Sequence, residues 1–388
     1  MRIRFLNIIL LLSFIALFAC EEAFEPELDS SGESLFVVDG MINNLPGPYI
    51  VKLSRSSKID NPRFIPGTGY LVLIEDDLGY AEFCLETYPG NYQSINPDFV
   101  GEVGRSYKIK IMAPNGQNAY ESNFERLREA TEIAAIDHKL EFTPDDDLTY
   151  DIAGYRFYIS TEQAPADTTY FLWQLISTYK YSTDFKIYWR WEGYLIPVFN
   201  YDTLHTCYKT DTLSDIFLLN AENLSPPVVS NFPLHYVTTQ TRELMERYSL
   251  LVKQYSISKE SYNFWRVVKD QNTNLGDLYS QQPFQVRGNI FNPANPEEIV
   301  LGQFMVAGTS QKRIFVDKPG QYAEMRYPKC DDNEGIYDNF RWISDYPPSS
   351  YPVFVTRASG GTALPNQWCM DCRQSGGVVE KPDFWIDK

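Results

Sequence analysis

The sequence predicts a mainly β protein. A small β-sandwich spans residues 35–125, and a larger β-rich domain, sandwich or barrel-like, spans 126–388 with one or few short helices. Three observations predict this. Apolar and polar residues alternate with a period of two over several short runs. Turn residues, chiefly Gly, Pro, Asn and Asp, separate those runs. Aromatic residues are abundant, with 27 Tyr, 24 Phe and 7 Trp, and aromatic side chains suit pleated, half-buried strands.

Along the first domain, Leu35–Met41 is a short apolar run ended by Asn43-Asn44-Leu45-Pro46-Gly47-Pro48. Tyr49, Val51 and Leu53 then alternate with Ile50, Lys52 and Ser54. Leu71–Glu75 and Tyr80–Leu85 flank Asp76-Asp77-Leu78-Gly79, a hairpin-like connection. The cleanest alternation sets Tyr107, Ile109 and Ile111 against Ser106, Lys108 and Lys110. Pro114-Asn115-Gly116 turns the chain into Ala119–Ser122. Strands this short, at this spacing, fit an immunoglobulin-like or transthyretin-like sandwich.

A polar segment, Phe124 to Ala130, reads as the domain connection. Strand candidates beyond it are Ile133–Phe142, Tyr155–Ser160, Tyr170–Tyr181, Lys186–Tyr194, Leu250–Ile257 and Arg313–Asp317. One helix is predicted over Lys259–Lys269. Ser258 is its N-cap, Glu260 favours the positive end of the helix dipole, and Phe264, Trp265 and Val268 supply an apolar face. A final strand is expected to carry Phe384 and Trp385 into the core near Cys369 and Cys372, with a docking or ligand-contact element over Gly376-Gly377 and Lys381–Trp385 as the alternative.

The first twenty residues read as an export signal. Arg2 and Arg4 precede an apolar run from Phe5 to Ala19, which ends Leu17-Phe18-Ala19-Cys20. That run is short for a span of ~20 residues. A small residue before Cys20 is the bacterial lipobox pattern, so residues 1–19 are expected to be a signal peptide and Cys20 a lipidated anchor. Several acyl chains suffice for stable anchoring at ~0.8 kcal/mol per buried methylene. An acidic tether, 20–34, would follow. The expected mature chain has 369 residues, 388 less 19, and its charge moves from −17 to −19 with the loss of Arg2 and Arg4. So negative a chain argues against nucleic acid and anionic lipid as partners.

Five cysteines remain, and an exported protein sits where disulfides persist. Their odd number leaves a free thiol. Cys84 alternates with Glu82 and Glu86 on the polar face of a predicted strand and is the candidate. Cys207 and Cys330 are expected to pair with Cys369 and Cys372, in an order the sequence leaves open. Zinc and redox readings of Cys369-x-x-Cys372 are weaker, since only one close pair exists and no βαβ context surrounds it.

No motif for catalysis stands out. His138, His205 and His235 are the three histidines, and no His-Glu-x-x-His, Gly-x-Ser-x-Gly, Walker or dinucleotide pattern occurs. No catalytic residue, cofactor or firm metal site is therefore expected. Asp331, Asn333 and Asp338 have the oxygen ligands of a calcium loop, but the spacing is short and the terminal Glu is missing.

A wider resemblance follows from Leu35-Phe36-Val37-Val38-Asp39-Gly40-Met41-Ile42, Gly47–Arg55, Tyr248–Ser256, Gly288-Asn289-Ile290, Lys312–Phe315, Cys369-Met370-Asp371-Cys372-Arg373 and Lys381–Trp385. In this order they resemble a family of Bacteroidota outer-membrane lipoproteins, domain of unknown function 4249, over nearly all of the mature chain. The resemblance implies a setting beside SusC-like TonB-dependent barrels, where a surface lipoprotein helps capture a nutrient, peptide or glycan. It transfers no catalytic residue. The acidic run Glu21–Glu25 resembles the surface-export signal of such lipoproteins. Thr168, Thr203 and Thr212, each following Asp, resemble their O-glycosylation sites. The expected role is a transporter accessory at the cell surface, with a structural subunit of an outer-membrane assembly and a surface hydrolase as alternatives. A concave aromatic pocket in the second domain would mark capture, and a broad apolar patch would mark a structural subunit.

Overall fold

The computed structural model describes residues 34–387 except 58–62, 115, 117, 146, 274–285, 322, 331–339 and 359–360. Its first strands are β1 (Phe36–Asn43), β2 (Ile50–Arg55), β3 (Ile65–Pro66), β4 (Leu71–Asp76), β5 (Ala81–Tyr88), β6 (Asn91–Ser94), β7 (Ser106–Met112), β8 (Ala119–Ser122) and β9 (Glu125–Arg126). Then come β10 (Ile133–Thr143), β11 (Ile152–Thr161), β12 (Tyr170–Ser182), β13 (Trp189–Trp191), β14 (Leu195–Pro197), β15 (Thr206–Thr212), β16 (Phe217–Asn220), β17 (Phe232–Thr238) and β18 (Arg247–Ile257). The helix α1 (Lys259–Thr273) follows, and β19 (Ile290–Phe291), β20 (Val300–Asp317), β21 (Val353–Ala358) and β22 (Gly361–Ala363) complete the set.

The fold is mainly β, as the alternation predicts. In β7, Tyr107, Ile109 and Ile111 are buried while their neighbours are half-exposed. The first core gathers inward residues of β1, β2, β4, β7 and β8, and it also takes Ile290, Val300, Phe304 and Val306 from far along the chain. The reason is β20. Its first half, Val300–Ala307, pairs in parallel with β1, and its second half, Gly308–Asp317, pairs antiparallel with β18. One strand thus serves two cores. The main sheet runs β15-β12-β18-β20-β1-β2-β6-β5-β4-β7-β8-β19, and its two ends do not meet, so no barrel closes.

The second core lies between this sheet and the smaller sheet β10-β11-β17, with Phe157, Phe171, Trp173 and Tyr248 fully buried. On the opposite face of β12, β18 and β20 a third cluster holds Tyr255, Ile257, Met305 and Ala307, covered in part by Tyr262 and Trp265 of α1. A fourth sheet, β14-β13-β21-β22, has its own small core around Val353 and Val355. The Lys186–Tyr194 strand expected from sequence contracts to Trp189–Trp191. The one expected at Arg313–Asp317 grows to eighteen residues, because its glycines mask a continuous strand.

Cys84 is a correction. It lies not on an outward polar face but in the first core, and it is the free cysteine among the described residues. Glu82 shares its inward face. The Glu82 carboxylate accepts the Ile95 and Asn96 N–H groups at 2.8 and 2.7 Å and the Tyr80 hydroxyl at 2.9 Å. Glu86 accepts the Gly69 and Gly90 N–H groups, both at 2.9 Å. These carboxylates satisfy loop backbone, so charge points toward the loops while Phe83 and Leu85 face out.

Candidate ligand pocket

The pocket is built where β1 and β20 pair. Asp39 stands opposite Gln303, and Met41 opposite Met305. A period of two sends Phe36, Val38 and Ile42 into the first core and leaves Asp39 and Met41 on the reverse face. The backbone allows this register only through Gly302, whose φ is +79° and whose Cβ, if present, would meet the Val38 carbonyl oxygen at 1.9 Å.

Helix α1 forms one wall. Ser258 caps it as predicted, its Oγ accepting the Ser261 N–H at 3.1 Å. Of the expected apolar face, Trp265 packs toward the third cluster, joined by Tyr262, whose ring lies 5.0 Å from that of Tyr170. Phe264 stands edge-on to Trp265 at 5.5 Å. Residues 213–216 form the other wall, and Tyr255 and Leu172 contribute to the floor. The cavity measures about 270 Å³.

Its polar groups are few. Two carboxylates line it, Asp39 and Asp215, and among the described residues no Lys, Arg or His does. Asp39 keeps an opening to solvent yet is crowded by protein on its other sides. That desolvation raises its carboxyl pKa, and Lys52, its cross-strand neighbour on β2, opposes the rise. Among the described residues, Gln303 Nε2 and Trp265 Nε1 are buried donors without a partner, set behind the cavity surface. Tyr255 is fixed by donating its hydroxyl to Gln174 Oε1 at 3.0 Å, and burial pushes its pKa up to about 12. An apolar cavity with a few convergent polar groups is the ordinary form of a small-molecule site.

The residues singled out by sequence lie elsewhere. Cys20 and the calcium candidates Asp331, Asn333 and Asp338 fall outside the described residues. Among the described residues no cluster of three or more His, Cys, Asp or Glu is arranged to hold a metal ion, and no helix is long and apolar enough to cross a membrane. Cys207 is joined to Cys372 and Cys330 to Cys369, which sets the order that sequence leaves open. Thr168 is fully buried, its hydroxyl donating to the Glu129 carbonyl at 3.3 Å, so it is not displayed for glycosylation. Thr203 and Thr212 are exposed. His205 Nδ1 meets the Thr183 hydroxyl at 2.8 Å, and His138 packs edge-on to Tyr155. Burial lowers the pKa of all three histidines.

The C-terminal segment forms no strand. An isolated bridge between Tyr208 and Val378 joins it to β15. Trp385 is buried against Tyr208 and Phe315, with ring centres at 5.1 and 5.5 Å, while Phe384 stays partly exposed under Arg313. Sequence reasoning missed the pocket. Its one legible signal is Asp39, a carboxylate inside the apolar run Leu35–Ile42.

A family profile described as "Domain of unknown function (DUF4249)" matches residues 21–313. No curated protein matches the chain. A solved structure titled "Biofilm associated protein - BSP domain" aligns at 6% identity with a TM-score of 0.12. That alignment covers 72% of this chain and 59% of the other, so this chain spans well under two thirds of that structure's length.

Proposed function

The chain belongs to the DUF4249 family, and on that premise we propose that it is a surface-exposed, lipid-anchored accessory subunit that captures a small nutrient for a TonB-dependent barrel in the outer membrane. The observation that carries this reading is the cavity where β1, β20 and α1 meet: concave and partly aromatic, with the Asp39 and Asp215 carboxylates in its lining. The lipobox ending at Cys20 and the acidic run after it support the location. Affinity purification of the tagged protein from native outer membrane in mild detergent tests it. Stoichiometric recovery of a TonB-dependent barrel is expected; recovery of the chain alone across detergents would overturn the complex.

A specific observation favours a second reading, a permanent structural subunit. Ile50, Phe83, Leu85 and Ile95 are all about half exposed. The pairing Ile50–Gln93–Leu85 sets two of them in one row on the outer face of the first sandwich. Large exposed apolar patches mark interaction surfaces. Recovery of secretion or assembly machinery in the same purification would favour this reading.

A further inference from the structure

The small sheet β10-β11-β17 ends at β10, whose one strand neighbour among the described residues is β11. At its start the outer edge of β10 is closed, because Lys312 Nζ donates to the Ile133 and Ala134 carbonyls at 3.3 and 2.6 Å. Beyond Ile136 the strand stands clear of the core. Asp137–Leu140, Phe142 and Thr143 are exposed, and Glu141 is half-buried. Apart from the pairing with β11, one hydrogen bond reaches this stretch of backbone among the described residues, from the Tyr236 hydroxyl to the Glu141 carbonyl at 3.3 Å. The remaining outward N–H and C=O groups form an open row, and an open row is a template for another strand.

The residues along that row are complementary to themselves. Alternation puts His138, Leu140 and Phe142 on one face, beside Tyr155 and Phe157 of β11, and Asp137, Lys139, Glu141 and Thr143 on the other. Leu140 is 36% exposed and Phe142 49%. Among the described residues Lys139 pairs with no carboxylate, and its ammonium lies 5.1 Å from the centre of the Tyr158 ring. A two-fold axis through Leu140 would set a second β10 antiparallel to the first. Leu140 then meets Leu140 of the other copy, His138 meets Phe142, Lys139 meets Glu141, and Asp137 meets Thr143. Apolar side chains oppose apolar or aromatic ones, and opposite charges oppose each other, which are the cross-strand pairs that stabilise a sheet. Other registers fail. Centring on Lys139 opposes two lysines and sets Asp137 against Glu141, and centring on Glu141 opposes two glutamates. Centring between two residues turns the apolar face of one copy onto the polar face of the other. Centring on His138 needs the carbonyls that Lys312 already occupies.

We infer that the outer edge of β10 docks a second copy of this chain, antiparallel and centred on Leu140, so that the sheets of the two protomers join as β17-β11-β10-β10-β11-β17. The contact is isologous, since both copies use the same patch. The seam is short, which places it in the transient class of interfaces, so the dimer depends on concentration. The inference goes beyond the capture reading and does not rest on it, because neither the pocket nor a barrel enters the argument.

The test is sedimentation equilibrium of the detergent-solubilised full chain, with micelles in excess, over about 1–200 µM. The mass is expected to rise with concentration from one chain toward two. Leu140→Lys sets two ammonium groups at the axis, and Lys139→Glu turns each Lys–Glu pair into a like-charge pair. Both side chains are exposed, so each variant is expected to weaken association at least tenfold with an unchanged thermal transition. If one of them fails to fold, the other decides. Leu140→Cys is expected to give a reducible covalent dimer on mild oxidation, because opposed Cα atoms in antiparallel strands lie about 4.5–5.5 Å apart, within the span of a disulfide. The native free thiol, Cys84, is buried and does not compete. Phe83→Cys, half exposed on the first sandwich, is expected to stay monomeric under the same oxidation. A mass of one chain at every concentration would overturn the inference and leave β10 as an edge guarded by its charges. A dimer that a folded Leu140→Lys or Lys139→Glu chain keeps intact would overturn it too, by placing the contact elsewhere, as would equal cross-linking of the two cysteine variants.

Discussion

Substituting Glu125 should remove a pH dependence of stability that can be worked from the structure. Glu125 lies in β9 with its carboxylate against the hydroxyl of Ser258, the cap of α1. Burial dominates its environment and raises its pKa from 4.5 to about 7; Ser258 and Arg128 oppose the rise, and Glu260 adds to it. Among the described residues its Oε1 has no hydrogen-bond partner, and the Arg128 guanidinium stands 3.8 Å from it. A carboxyl whose folded pKa exceeds its unfolded value binds its proton more tightly when folded. Below about pH 4.5 both states are protonated and Glu125 contributes no difference. Between 4.5 and 7 the unfolded chain loses the proton first, and stability falls by about 1.4 kcal/mol per pH unit. Above 7 the full loss of about 3 kcal/mol is present. Glu125→Gln removes the titration. Urea unfolding of wild type and variant from pH 4.5 to 8 should show a difference in ΔG that grows in favour of Gln by about 3 kcal/mol over that window. A difference that stays constant with pH would refute the reasoning, because a lost packing or hydrogen-bond contact does not titrate.

Other consequences are equally direct. Gly302→Ala places a methyl group against the Val38 carbonyl at a positive φ and should cost about 3 kcal/mol or more, read as a lowered denaturant midpoint; a neutral outcome would mean that β1 and β20 do not pair in this register. Replacing Cys207 and Cys372 by Ala frees a loop of 165 residues and should cost about 2–5 kcal/mol, while non-reducing peptide mapping of the parent should recover Cys207 with Cys372 and Cys330 with Cys369. The Cys84 thiol is buried and its pKa is pushed up to about 12, so iodoacetamide at pH 8 should leave it unlabelled until the protein unfolds; rapid labelling of the folded protein would contradict its place in the core. Trp385→Ala removes a buried ring between Tyr208 and Phe315 and should cost about 3–5 kcal/mol, measured by thermal unfolding.

Much of the fold is decided locally, and the sequence by itself determined those parts. Tyr107, Ile109 and Ile111 announce a strand with one buried face because their period of two is a property of the backbone. Ser258 announces a helix start because its oxygen reaches a free N–H in the next turn. The set of cysteines that pair was legible from compartment and number. The place of Cys84 is not legible in sequence, because a carboxylate that caps loop backbone looks there like one that faces water. Only a fragment of β20 is legible in sequence because glycines weaken strand propensity, whereas Gly302 is what lets the strand approach Val38. The pocket belongs wholly to tertiary structure. Asp39 and Gln303 meet through parallel pairing of strands from opposite ends of the chain, and Trp265 arrives on a helix packed over a third cluster. Local periodicity carries information about which face a residue occupies, but none about which distant strand will lie beside it. Long-range pairing is decided by which faces can be buried together, and that alone brought two carboxylates to the lining of one cavity.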